Sequence, residues 1–275
     1  MNASEELAYL RERGWERLYP DETTRITVGL GTCGMSAGAQ LVYEYLVRRV
    51  EELGLQAEVV GVGCAGMCYA EPLVQVQIPG WPRAVYANVD EQICDAIMDA
   101  LIESRYAKAN RMGFVYRDWL EGFGSWVDLV DIDEDEDEES ACPDDLARLP
   151  FLRSQEKRLS ASWGRITPWS IEEYVAEGGY AALLKALFEA SPDEVIEEIE
   201  RSGLRGRGGA GFPTGKKWRA VANEDDTTRY VIANADEGDP GAFMDRSILE
   251  GDPHSIIEAM AINGYCTGAS HGLIY

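Results

Sequence analysis

The sequence predicts an α/β protein built from two units joined by a linker. Three observations carry that expectation. Through the first hundred residues, helical spacing of apolar residues alternates with short β-rich runs. Residues 131–139, DIDEDEDEE, put eight acids in nine positions, the composition of a solvated boundary. Residues 203–218, GLRGRGGAGFPTGKKW, form a glycine-dense basic run between a helical pattern and a strand pattern. The divisions are then 1–105 for the first unit, 106–150 for an acidic linker and 151–275 for the second unit.

In the first unit, residues 3–18 read as an amphipathic helix with Leu7, Leu10 and Trp15 on one side. RITVGLGTC (25–33) is a β-rich run ending in glycine and cysteine. Leu41, Val42, Leu46, Val50 and Leu53 recur at helical spacing, and Gly54 closes that helix. AEVVGVG (57–63) is a second strand. LVQVQI (73–78) and RAVYANV (83–89) flank the turn Pro79-Gly80-Trp81-Pro82 and form a hairpin. A final helix runs from about Asp90 to Ser104. The order β-α-β-β-β-α is that of a small thioredoxin-like domain, with Cys33, Cys64 and Cys68 at its loops.

Composition bounds the chemistry. The chain has 275 residues, 45% of them apolar, and a net charge of -24, which argues against nucleic acid and anionic membrane surfaces as partners. No window is long and apolar enough for direct membrane insertion. The charged N-terminus, MNASEELAYLRERGW, lacks a signal-peptide core, so cytoplasmic residence is the expectation. In that compartment the six cysteines read as metal ligands or buried thiols. Cys94, among Ile93, Ile97 and Met98, reads as core; Cys142 and Cys266 have no partner at ligand spacing. His254 and His271 are too few for a histidine-based zinc site.

In the second unit, Ser170 caps a helix that Glu173 completes as a capping box. Gly178 and Gly179 break it, Leu183, Leu184, Leu187 and Phe188 mark the next helix, and Ser191 with Pro192 and Glu194 opens a third. That third helix ends at Gly203. Gly206, Gly208 and Gly211 then match G-x-G-x-x-G, but a helix precedes them where the usual dinucleotide fingerprint follows a strand. A Walker A loop fails as well, because Lys217 rather than Ser or Thr follows Lys216. What remains is an anion cradle of another design: glycine N–H groups and six bases with no acid between Arg201 and Asn223. TRYVIAN (228–234) is a strand, and NADEGDPG (234–241) a loop at its C-terminal end, where ligands of α/β sheets sit. Asp236, Glu237 and Asp239 suit hydroxyl groups there, and Asn234 a heterocycle. Asp252 with Pro253 opens a further helix, and HGLIY (271–275) a further strand.

Two pairs of motifs resemble one family. GTCGMSAGA and GCAGMCYAEPLV are similar to the thioredoxin-like 2Fe–2S domain of NADH dehydrogenases and NAD-linked hydrogenases. GLRGRGGAGFPTGKKW and NADEGDPGAFMDR resemble the flavin- and NADH-binding subunit of complex I, and still more its soluble relatives in NAD-linked hydrogenases and formate dehydrogenases. The resemblance implies a thioredoxin-like domain followed by the first part of a Rossmann-like FMN/NADH-binding domain. It implies an NADH:acceptor oxidoreductase (diaphorase) that passes hydride between NAD(H) and FMN, with electrons leaving to iron–sulfur subunits of a larger complex. By motif, Gly206, Arg207, Gly208, Gly209, Ala210, Gly211, Phe212, Pro213, Thr214, Gly215 and Lys217 line the FMN and dinucleotide cradle, with Asn234, Asp236, Glu237 and Asp239 beside it. Cys33, Cys64 and Cys68 are three of four ligands for a 2Fe–2S cluster; the fourth family position falls at Gly38. Ser36, a water or a borrowed residue completes the set, or the cluster is lost. The family's later flavin segment and 4Fe–4S cysteines are absent from these residues, so the chain is expected not to oxidise NADH alone. The alternative is a non-catalytic assembly or docking subunit that keeps the fold.

Overall fold

A computed structural model describes residues 2–115 and 149–275. The acid block at 131–139 and Cys142 lie outside the described residues. The chain opens with α1 (Ala3–Leu18), capped by Asn2 and Glu5 in a reciprocal box, and continues through β1 (Thr24–Gly29), α2 (Thr32–Ser36), α3 (Ala39–Leu53) and β2 (Ala57–Val62). Then come β3 (Val74–Gln77), β4 (Arg83–Tyr86), α4 (Glu91–Ile102) and β5 (Arg111–Val115). The expected first strand therefore stops at Gly29, and Cys33 sits in the short helix α2. A strand not foreseen, β5, falls within the residues expected as linker.

The strands form one mixed sheet in the order β2-β1-β3-β4-β5, with β1 and β2 parallel and the others antiparallel. Period-two alternation sorts its faces. Ile26 opposes Val76, and Val28 opposes Val74; these side chains bury against Val42, Leu46 and Val50 of α3 and Ile97 and Met98 of α4. Cys94 lies in this core, as its neighbours indicated. The opposite face is polar: Arg25, Thr27, Gln75 and Arg83 are all buried there.

Residues 152–177 cover that polar face and fix the second unit to the first. Arg25 donates to Glu173 Oε2 (2.9 Å), to Thr167 Oγ1 (3.2 Å) and to the carbonyl of Arg17 (2.9 Å). Gln75 Nε2 donates to the carbonyl of Gly164 at 2.5 Å, and Arg165 pairs with Glu177. Glu173 lies in α5 (Ile171–Ala176), and α1 packs along that helix. Gly14 makes this packing possible, since a Cβ there would lie 1.9 Å from the carbonyl oxygen of Glu172. Ser170 caps α5 as expected, accepting from Glu173 N. The side chain of Glu173 does not return the cap, because Arg25, Arg17 and Thr167 claim both its oxygens.

The rest of the second unit comprises α6 (Ala181–Glu189), α7 (Pro192–Ser202), α8 (Thr214–Ala222), β6 (Tyr230–Ala233), α9 (Met244–Gly251), α10 (Pro253–Thr267) and β7 (His271–Ile274). Ser191 and Glu194 form the expected capping box on α7, and Asp252 caps α10. Strands β6 and β7 pair in parallel across α9 and α10, the start of a Rossmann-like arrangement. Ala186, Val195, Ile196 and Cys266 make a small core with Trp218, Ile262 and Tyr265. His254 has a structural place: Nδ1 lies 2.9 Å from the hydroxyl of Tyr180, and the ring stacks on Tyr174. No helix among the described residues is long and apolar enough to cross a membrane.

Candidate functional site

Gly203 ends α7 in the left-handed conformation (φ 68°), turning the chain into the glycine-rich run. Two bonds pin the feet of the loop: Gly206 N donates to Phe212 O (2.9 Å) and Thr214 N to Leu204 O (2.9 Å), with Arg205 and Pro213 paired as an antiparallel bridge. Between these feet residues 207–211 arch into solvent. Gly209 (φ 93°) and Gly211 (φ 60°) take backbone conformations that L side chains resist. Arg205 Nη1 donates to Gly211 O and Arg207 Nη1 to Arg205 O, so the arginines stiffen the arch by satisfying its carbonyls. Among the described residues, no protein acceptor takes the N–H groups of 207–211. A Cβ on Gly208, Gly209 or Gly211 would meet nothing within 4 Å. The arch therefore presents amide donors to open space, the form of an anion nest.

Charge on the arch is likewise uncommitted. Of the bases from Arg201 to Arg219, Arg219 alone is in an ion pair among the described residues, with Asp193 and Glu200. Arg205, Arg207, Lys216 and Lys217 are exposed, and so is Phe212 beside them, at 56%. Ala210 stands at the exposed tip, and Pro213 and Thr214 lead into α8, whose N-terminus adds its dipole to the same site. Gly215 is placed differently. It is buried, and a Cβ there would lie 2.7 Å from Glu200 N, so this glycine lets α8 pack on α7 and does not face the cradle.

The second loop leaves the C-terminal end of β6. Asn234 Oδ1 accepts from Asp236 N at 3.0 Å, folding the loop back on itself. Asp236 and Asp239 are exposed, with carboxylates free to meet hydroxyl groups. Glu237 is committed elsewhere: Oε1 and Oε2 accept from Asp245 N (2.7 Å) and Arg246 N (3.1 Å), satisfying the first amides of α9. Its carboxylate thus caps the helix as well as standing beside the cradle.

Helix α9 leads from that loop to the cysteines. At its C-terminal end Glu250 accepts from Thr32 Oγ1 (2.5 Å) and Thr32 N (2.9 Å), beside Cys33. Gly63 abuts Gly251 so closely that a Cβ would lie 2.4 Å from its Cα. Lys157 Nζ donates to the carbonyl of Ala65, gripping the same loop from another side. Thr32 and Glu250 lie 218 residues apart, and no local pattern announces their contact.

The three candidate ligands do gather. Cys64 and Cys68 Sγ are 3.6 Å apart, and Cys33 lies close enough for Cys68 to act on its thiol. The neighbouring Cys68 and burial push the Cys33 thiol up to about 11, and burial raises Cys64 and Cys68. Burial also lifts the neighbouring Glu71 carboxyl to about 7. Among the described residues no fourth donor joins them: Gly38 has no side chain, and the Ser36 hydroxyl bonds back to Thr32 O at 2.9 Å. Among the described residues no group of three or more metal-ligating side chains is disposed to hold a metal ion. The described residues do not complete a 2Fe–2S site.

Comparison with known proteins bears on the second unit. Residues 199–275 match the Nuo51 FMN-binding domain, which takes in the cradle, the acidic loop and α9. The HndC component of the NADP-reducing hydrogenase of Solidesulfovibrio fructosivorans is 51% identical over 130 residues, 47% of this chain and 26% of that protein. An NADH-quinone oxidoreductase component from Aquifex aeolicus is 55% identical over 106 residues, 38% of this chain and 24% of that protein. This chain thus spans about a quarter of the length of these curated relatives. An NAD+-reducing [NiFe]-hydrogenase structure aligns over 98% of the chain at 20% identity and a TM-score of 0.34, too distant a likeness to bear on function.

Proposed function

We propose that the chain forms the cofactor-binding part of an NAD(H)-linked flavoprotein oxidoreductase subunit, a diaphorase working within a larger iron–sulfur complex. The observation that carries this reading is the arch at 206–212: among the described residues the amides of 207–211 have no protein acceptor and its bases no ion pair, over open space. Such a nest suits the phosphate of FMN and the pyrophosphate of a dinucleotide. When bound, FMN supplies the hydride and single-electron chemistry. The chain's own residues bind and orient. Arg207 and the amides of 208–211 hold phosphate, and Lys217 on the first turn of α8 adds charge. Phe212 offers an exposed ring for stacking, and Asp236 and Asp239 accept from ribose or ribityl hydroxyls. No acid or base from the protein is required for hydride transfer.

In this reading electrons leave through iron–sulfur clusters of the larger complex. Parallel sheets are ordinarily covered on both faces, yet Tyr230, Ile232 and Leu273 of the β6–β7 pair are more than half exposed. That exposure supports completion of the site by further polypeptide. A cytoplasmic location fits an NAD(H)-linked reaction and the unbridged state of all five described cysteines.

The test is a visible spectrum of the chain after incubation with FMN and gel filtration, followed by NADH-dependent dye reduction. A retained flavin band near roughly 450 nm, a property of the cofactor, with negligible turnover, is the expected pair of results. A colourless protein in its assembled complex favours the second reading, a docking subunit that keeps the fold; the incomplete thiol set is the observation on its side. Robust turnover by the isolated chain overturns the proposed dependence on further polypeptide.

A further inference from the structure

Three thiols meet at the junction of the two units, and the flavin chemistry uses none of them. The sulfur of Cys68 lies 3.6 Å from that of Cys64. The C-x3-C spacing argues against a helix-borne C-x-x-C motif, but the structure closes the extra residue by a turn. Gly66 takes a left-handed conformation (φ 84°), and a Cβ there would meet nothing within 4 Å. The turn therefore has room to draw the two sulfurs from contact to bonding distance, about 2.0 Å. Cys68 is half-buried and reachable, whereas Cys64 is buried beneath it. A cluster has no fourth ligand here among the described residues, since Gly38 and the back-bonded Ser36 supply none.

We propose that Cys64 and Cys68 are a redox-active dithiol that closes to a disulfide by exchange with a small-molecule disulfide, in place of a 2Fe–2S cluster. The Cys68 thiolate attacks one sulfur of R–S–S–R, forming a mixed disulfide and releasing R–S⁻. The Cys64 thiolate then attacks Cys68 Sγ, forming the Cys64–Cys68 bond and releasing the second R–S⁻. Two protein thiols are oxidised by two electrons, and one small disulfide is reduced to two thiols. The released thiolates take up the two protons that the cysteines gave up. Cys33 is the third thiol and stays reduced.

The proposal does not depend on the flavin site, and the full chain tests it without FMN. Chain purified anaerobically is equilibrated with mixtures of reduced and oxidised glutathione, quenched with an alkylating agent and mapped by mass spectrometry. The expected result is one two-electron transition with a Cys64–Cys68 linked peptide. Cys33→Ala retains that transition, and Cys68→Ala abolishes it with an unchanged circular dichroism spectrum; Cys68→Ser replaces a misfolded alanine variant. The same preparation, incubated with ferrous iron and sulfide, is expected to keep no stoichiometric cluster after desalting. Stable retention of two irons and two sulfides per chain overturns the proposal. So does full alkylation of Cys64 and Cys68 at every glutathione ratio.

Discussion

A Cβ added at Gly34 would lie 2.0 Å from Gly29 O, and one at Gly63 2.4 Å from Gly251 Cα; at Gly208 the same atom would meet nothing within 4 Å. The cysteine loops and the cradle are both rich in glycine, yet they use it in opposite ways. Around the cysteines, glycine lets protein pack on protein, within the first unit at Gly34 and between the units at Gly63. In the cradle, it leaves the backbone open to something that is not protein. Polar groups divide the same way. Thr32 and Glu250 satisfy each other beside the cysteines, whereas among the described residues the amides of 207–211 have no protein acceptor and four exposed bases have no ion-pair partner. A glycine in a sequence announces close approach; the partner's identity comes from the surrounding fold.

Substitutions sharpen that contrast. The largest effect is expected at Glu173, which is fully buried and holds Arg25 and Arg17 across the junction. Glu173→Ala leaves a buried guanidinium uncompensated and should cost about 3–5 kcal/mol in urea unfolding. Next comes Gly63→Ala, whose new methyl group collides with backbone of α9; a loss of about 1–3 kcal/mol is expected in the same measurement. Glu237→Gln weakens the cap on α9 and should cost about 1 kcal/mol, read as a lower thermal midpoint. Smallest in stability is Gly208→Ala, within about 0.5 kcal/mol of the parent, although its methyl group intrudes on the cradle and should weaken FMN binding in calorimetry. Equal losses for Gly63→Ala and Gly208→Ala would erase the distinction between a closed region and an open one.

Much of this was legible in the sequence because it is local. Helical spacing gave α1, α3 and α4, alternation gave the β3–β4 hairpin, and Ser191 with Glu194 marked the start of α7. The glycine-rich run was legible for the same reason, since its amides and bases lie within one stretch. What escaped depends on distant partners. Glu173 read as a local cap, and Arg25, 148 residues earlier, redirects it. Gly215 read as part of the cradle, and Glu200 on the neighbouring helix gives it a packing role. Glu237 read as a ligand contact, and α9 takes its carboxylate. Strand β5 lacked a strong pattern of its own and is fixed by pairing with β4.

The central claim is that the arch at 206–212, with Lys217, holds a phosphate. Calorimetric titration of the full chain with FMN and with riboflavin, which lacks only the phosphate, addresses it most directly. The account predicts FMN binding at least about tenfold tighter, about 1.4 kcal/mol, with the gap narrowing as salt rises and vanishing in an Arg207→Ala/Lys217→Ala variant that unfolds at the parent's midpoint. Equal affinity for the two flavins at low salt would contradict it.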